Sequence, residues 1–142
     1  MEYISKNEKE TFDFAKSLAD KATAGDIFAL QGDLGSGKTT FVKGFAKALG
    51  IKKEITSPTF VFLKQYPIDS RGITLLVHVD CYRISSREDA QSIGLLEFFD
   101  REDIILLIEW PERIEELLPE RTNMLRFSYI DDKTRIIRKD FV

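Results

Sequence analysis

Gly32-Asp33-Leu34-Gly35-Ser36-Gly37-Lys38-Thr39 follows the pattern G-x-x-x-x-G-K-[ST] without a substitution, and Thr40 extends it by one hydroxyl. Each residue type has a task if the ligand is a chain of phosphates. Glycines permit turns and close approach that a Cβ would block, so successive N–H groups can point inward at phosphate oxygens. A helix starting near Lys38 adds the partial positive charge of its N-terminus. Lys38 would reach the β- and γ-phosphates, and the Thr39 hydroxyl would join the coordination shell of Mg²⁺.

A metal ion among phosphates also needs a carboxylate, normally delivered by a neighbouring strand to the C-terminal edge of a sheet. Two apolar runs end that way, "LLVHVD" in Asp80 and "IILLIE" in Glu109. Either could hold Mg²⁺, directly or through water, while the other orients the attacking water; residue type does not rank them. Thr59, in Ser57-Pro58-Thr59, falls where P-loop hydrolases keep a loop whose threonine senses the γ-phosphate, with an ordinary Ser-Pro turn as the alternative. Trp110, next to Glu109, is placed for stacking or contact at the edge of the site. Arg83 could touch a phosphate, meet a partner or form a surface ion pair. His78, inside an apolar strand, reads as a core histidine, and Cys81 as a small buried apolar residue.

The chain has no Asn-Lys-x-Asp guanine-reading sequence, which favours ATP over GTP. It also has no arginine-rich insertion of the kind that small-molecule kinases use as a lid. No obvious arginine finger is present, so hydrolysis is expected to be slow and open to acceleration by a partner.

These residues need elements to position them. Helical spacing runs through Glu8 to Ala22 and again through Thr39 to Leu49, with Gly50 as a stop. Asp26 to Leu30 is a short apolar run directly before the glycine loop. Further apolar runs at Thr59 to Leu63, Leu75 to Val79 and Ile104 to Ile108 read as strands buried on both faces. Between them, Ser86 to Phe99 and Pro111 to Leu118 have helical character, the second opened by a proline. The segment "NMLRFSYIDDKTRIIRKDFV" alternates apolar and polar residues around Asp131-Asp132-Lys133 and predicts an antiparallel hairpin. The expectation is α/β: one P-loop NTPase domain over residues 1–142, its mainly parallel sheet flanked by helices with antiparallel additions.

At 142 residues the chain suits one domain with a proper core. It has one cysteine, which excludes an internal disulfide and points to a reducing, cytoplasmic setting. No apolar run is long enough to span a membrane. Residues 97–120 carry nine acidic and two basic side chains, either a solvated face or a docking surface for a basic partner. Nowhere is there the broad basic stripe of a protein that grips DNA by its phosphates.

Taken in order, "GDLGSGKTT", "SPTF", "HVDCYR" and "IEWPER" resemble the TsaE family across nearly the whole chain. That family consists of small P-loop ATPases of bacterial tRNA threonylcarbamoyladenosine synthesis. The resemblance implies ATP and Mg²⁺ as ligands, a TsaD–TsaB heterodimer as partner, and contact with tRNA only through that assembly. It matches Lys38 and Thr39 to the phosphate and Mg²⁺ residues, Thr59 to a switch-like loop, Asp80 and Glu109 to the acidic pair needed for hydrolysis, and Trp110 to the tryptophan that follows. The family often has a larger apolar residue where Cys81 stands. The competing reading is a small-molecule kinase in which Asp80 activates an acceptor hydroxyl and Arg83 helps to hold it.

Overall fold

The computed structural model describes residues 1–55 and 63–140. Its elements are β1 (Glu2–Ser5), α1 (Glu8–Lys21), β2 (Ile27–Gln31), α2 (Lys38–Ala48), β3 (Leu63–Ser70), β4 (Ile73–Asp80), α3 (Arg87–Ser92), α4 (Leu95–Phe99), β5 (Ile104–Glu109), a 3-10 segment (Pro111–Leu117), β6 (Asn123–Tyr129) and β7 (Arg135–Asp140). The strands form one sheet in the order β1-β7-β6-β2-β5-β4-β3. Strands β6, β2, β5 and β4 run parallel, while β1, β7 and β3 pair antiparallel with their neighbours. The mixed sheet with flanking helices and a β6–β7 hairpin is the architecture that the order of apolar runs implies.

Strand β5, "IILLIE", is buried at every position because both faces of the sheet are covered. Alternation sends Ile104, Leu106 and Ile108 toward α3, α4 and the 3-10 segment, with Val77, Val79, Cys81, Leu95 and Phe99. It sends Ile105 and Leu107 to the opposite face, where Phe14, Phe41 and Phe45 of α1 and α2 meet Phe28, Leu30 and Leu76. The two helices approach closely at Gly44, where an added Cβ would lie 2.5 Å from the Phe12 carbonyl oxygen and 3.1 Å from the Ala15 Cβ. Helix α2 ends as expected at Gly50, which has φ +86°. There the N–H groups of Gly50 and Ile51 return to the carbonyls of Lys47 and Ala46.

Several elements depart from the sequence expectation. The single helix expected over Ser86–Phe99 is two short ones, broken at Gly94 with φ +77°. Strands β1 and β3 were not anticipated. Arg71 (φ 52°) and Gly72 (φ 79°) form a two-residue turn in the left-handed region, folding β3 back on β4. Arg71 pays for its unusual backbone by donating to the carbonyls of Ala19 and Ala22 at the end of α1. Pro67 is tolerated because β3 is an edge strand. Except for Leu63, the strand expected at Thr59–Leu63 lies outside the described residues. Among the described residues, no helix is long and apolar enough to cross a membrane.

Replacing Gly44 by alanine tests the helix contact. Helix propensity favours alanine by about 1 kcal/mol, but the facing carbonyl is backbone and cannot swing aside, and overpacking costs about 1–3 kcal/mol. Urea unfolding of Gly44→Ala should therefore show a lowered midpoint at unchanged slope; a raised midpoint would mean that α1 slides away freely. Cys81 supplies a second check, because burial pushes its thiol up to about 12. A thiol reagent should label it only as fast as the native state opens, and rapid labelling would contradict that burial.

Candidate functional site

The loop from Gly32 to Gly37 joins the central strand β2 to α2, and two kinds of constraint explain its glycines. Gly35 and Gly37 take φ of +79° and +103°, the left-handed region that side chains rarely adopt. Gly32 is required for space instead: a Cβ there would meet Ser36 Oγ at 2.6 Å and the Phe127 carbonyl at 2.8 Å. The Ser36 N–H returns to the Asp33 carbonyl, and Ser36 itself is buried. Leu34 stands out at 89% exposure.

The same alternation that buries the strands sets the chemistry. Along β4, His78 and Asp80 share the face of Leu76, and along β5, Glu109 shares the face of Leu107; both faces look toward α2. Asp80 and Glu109 stand opposite each other across the β4–β5 pair, and Glu109 also stands opposite Leu30 of β2. Lys38 opens α2 above them. Lys38, Asp80 and Glu109 are 5%, 8% and 7% exposed, so three formal charges are held largely away from water.

That arrangement shifts the protonation of Lys38 and Asp80. Burial pulls the Lys38 ammonium below the ordinary lysine range, against the opposing pull of Glu109, Glu112, Asp80 and Asp33. Burial also raises the Asp80 carboxyl, and the charge on Glu109 adds to it; the Tyr82 N–H bond, 2.9 Å to Asp80 Oδ1, works the other way. Among the described residues, Lys38 Nζ has no hydrogen-bond acceptor. It rests instead 4.4 Å from the centroid of the Trp110 ring. Trp110 reaches it from a left-handed backbone (φ 57°, ψ 50°) that turns the chain sharply after β5. Tyr82 packs edge-on against the same indole, with ring centroids 4.9 Å apart.

These groups line a cleft of about 440 Å³ with Leu34, Gly35, Gly37, Lys38, Thr39, Thr40, Asp80, Glu109 and Trp110 among its walls. The structure thus brings together most of the residues singled out from sequence. Thr59 lies outside the described residues. Three contributions were not foreseen. Asn7, which caps α1, and Glu8 and Thr11 of α1 form one wall. Arg135 of β7 donates from Nε to the Gly35 carbonyl at 2.9 Å, bracing the loop from a hundred residues away. His78, read as a core histidine, is indeed buried, but its Nε2 lies 2.7 Å from Glu109 Oε2. None of these has a local signal, since each depends on which strands become neighbours.

A buried ammonium with no hydrogen-bond acceptor among the described residues, beside a helix N-terminus, suits phosphate oxygens. Among the described residues no three carboxylate, imidazole or thiolate groups converge on a metal position. A hard cation here would need a nucleotide's own oxygens besides Thr39 and a carboxylate, which is how Mg²⁺ is commonly held.

A family model for threonylcarbamoyl adenosine biosynthesis protein TsaE matches residues 5–137. The chain is 40% identical over 131 residues to the tRNA threonylcarbamoyladenosine biosynthesis protein TsaE of Bacillus subtilis, covering 92% of this chain and 79% of that one. The protein of the same name from Treponema pallidum is 38% identical over 137 residues, covering 96% and 98%. In three dimensions the chain is similar to the crystal structure of Bacillus subtilis YdiB, with a TM-score of 0.75, 34% identity, and coverage of 96% of this chain and 82% of that one.

Trp110 is the only tryptophan, so its emission reports on Lys38. Titration with ATP and Mg²⁺ should change it saturably as the ammonium leaves the ring for phosphate, and Lys38→Ala should abolish the response. Calorimetric binding with silent fluorescence would show that Lys38 stays on the indole.

Proposed function

The chain belongs to the TsaE family, and from that premise we propose that it is a Mg²⁺-dependent ATPase subunit serving tRNA threonylcarbamoyladenosine biosynthesis. The observation that carries this reading is the buried Lys38 ammonium, without an acceptor among the described residues, facing two buried carboxylates across one cleft. Backbone N–H groups of residues 33–39 would receive the phosphates, with Lys38 moving from the Trp110 face onto the terminal ones. Thr39, with Asp80 or Glu109, would hold Mg²⁺, which when bound neutralises charge on the phosphate oxygens. The remaining carboxylate orients the attacking water and accepts its hydrogen bond, and phosphate departs with ADP left in the cleft. Thr59 is assigned the γ-phosphate-sensing role on the family resemblance.

By the family resemblance, the partner in this reading is a TsaD–TsaB pair, and tRNA would meet the subunit only through that assembly. The kinase reading requires an acceptor hydroxyl at Asp80, and no observation favours it.

Release of inorganic phosphate from ATP, with and without TsaD and TsaB homologues, is the direct test. Wild type should turn over slowly alone and faster with partners. Glu109→Gln and Asp80→Asn should each lose about 100-fold or more in kcat, the scale expected for a positioned base or charge stabiliser. Lys38→Ala should lose nucleotide binding as well. Phosphate appearing on a small-molecule acceptor instead of in solution would replace this reading by the kinase one.

A further inference from the structure

We propose that His78 is a positioning residue for Glu109, fixing one oxygen of that carboxylate so that the other faces the cleft. The proposal rests on the ATPase reading and adds a residue to its machinery. His78 is 2% exposed and Glu109 7%, and Nε2 approaches Oε2 to 2.7 Å. In this role the carboxylate oxygen accepts and the imidazole donates its Nε2–H, which selects that tautomer. Its other nitrogen, Nδ1, is buried and has no partner among the described residues.

That asymmetry points to the role. A leucine at position 78 would fill an apolar strand face without burying an unsatisfied ring nitrogen, a defect that costs about 1–3 kcal/mol. What the histidine adds over a leucine is the bond to Glu109. The register explains how it reaches: His78 stands opposite Leu107, one pleat before the Asp80–Glu109 pair, so the imidazole crosses diagonally beneath the carboxylate. Asp80 is held differently, by the Tyr82 N–H on its Oδ1. A glutamate is one methylene longer than an aspartate and has one more rotatable bond. Anchoring Oε2 removes that freedom and leaves Oε1 with a fixed direction toward the edge shared by Lys38 and Asp80.

The test compares His78→Leu, His78→Gln, Glu109→Gln and the double variant His78→Leu/Glu109→Gln. His78→Leu should lower kcat about 10-fold or more, the usual cost of losing a supporting hydrogen bond, with ATP affinity read from Trp110 emission little changed. In His78→Gln the amide nitrogen reaches the place of Nε2, and most of kcat should return. The double variant should be no slower than Glu109→Gln, because the two residues act as one unit. A packing role would predict none of these three patterns.

The chain has one histidine, so nitrogen NMR at mildly alkaline pH reads its tautomer even if His78→Leu fails to fold. The Nε2–H form is expected, with its resonance moved by Glu109→Gln; the Nδ1–H form would overturn the proposal. A wild type that releases phosphate while His78→Leu does so equally well overturns the positioning role alone. A wild type that releases none, alone or with partners, overturns the ATPase reading and this role together.

Discussion

Lys38 carries its charge at the first turn of α2, where the helix's unpaired N–H groups already make the potential positive and little water reaches. A charge in that position is tolerable only if negative charge is brought near it, and two neighbouring strands must bring it from the same side. Strands β4 and β5 do so because they run parallel and in register, with Asp80 and Glu109 abreast on the face under α2. Shifting either strand by one residue would turn its carboxylate toward α3 and α4 and leave Lys38 without that pull. The fully apolar stretches before each acid are what make such a slip costly, since both faces of β5 are buried. Core packing and site geometry are therefore one constraint.

Around this constraint the structure tolerates local strain. A tryptophan in the left-handed region is uncommon and costs on the order of 1 kcal/mol or more. Here the strained turn returns the indole over Lys38 while Glu109 stays in the sheet. The ring gives a cation a soft, desolvated resting place that is weaker than a phosphate. An ion pair with either carboxylate would hold the ammonium more tightly and compete with a ligand. Tyr82 supports the same corner from the end of β4, so both strand termini contribute to the mouth of the cleft.

Much of this was legible in the sequence, for a physical reason. A phosphate loop needs contiguous residues of fixed type, and a buried strand ending in an acid announces its edge, so Lys38, Thr39, Asp80 and Glu109 could be picked out one by one. The β6–β7 hairpin showed itself through simple alternation. What stayed hidden depends on neighbours distant in the chain. His78 looked like core because burial and hydrogen bonding to Glu109 have the same local signature. Arg135 lies in a run of charged hairpin residues, and nothing near it refers to Gly35. The β3–β4 turn was written in Arg71-Gly72, but arginine is not a residue that usually marks a left-handed turn. Gly94 was passed over inside a helical pattern that it in fact divides.

The brace from Arg135 to the Gly35 carbonyl, together with the closeness of Gly32 to Phe127, gives the loop a floor made from β6 and β7. Strand β2 also takes β6 as its parallel partner on one side. During synthesis, the loop and α2 therefore leave the ribosome roughly a hundred residues before the strands that support them. Contacts so far apart in sequence form late, after the chain closure they require. The loop before α2 thus reaches its final shape only with the arrival of the hairpin, and any ligand that needs that shape would meet it late in folding.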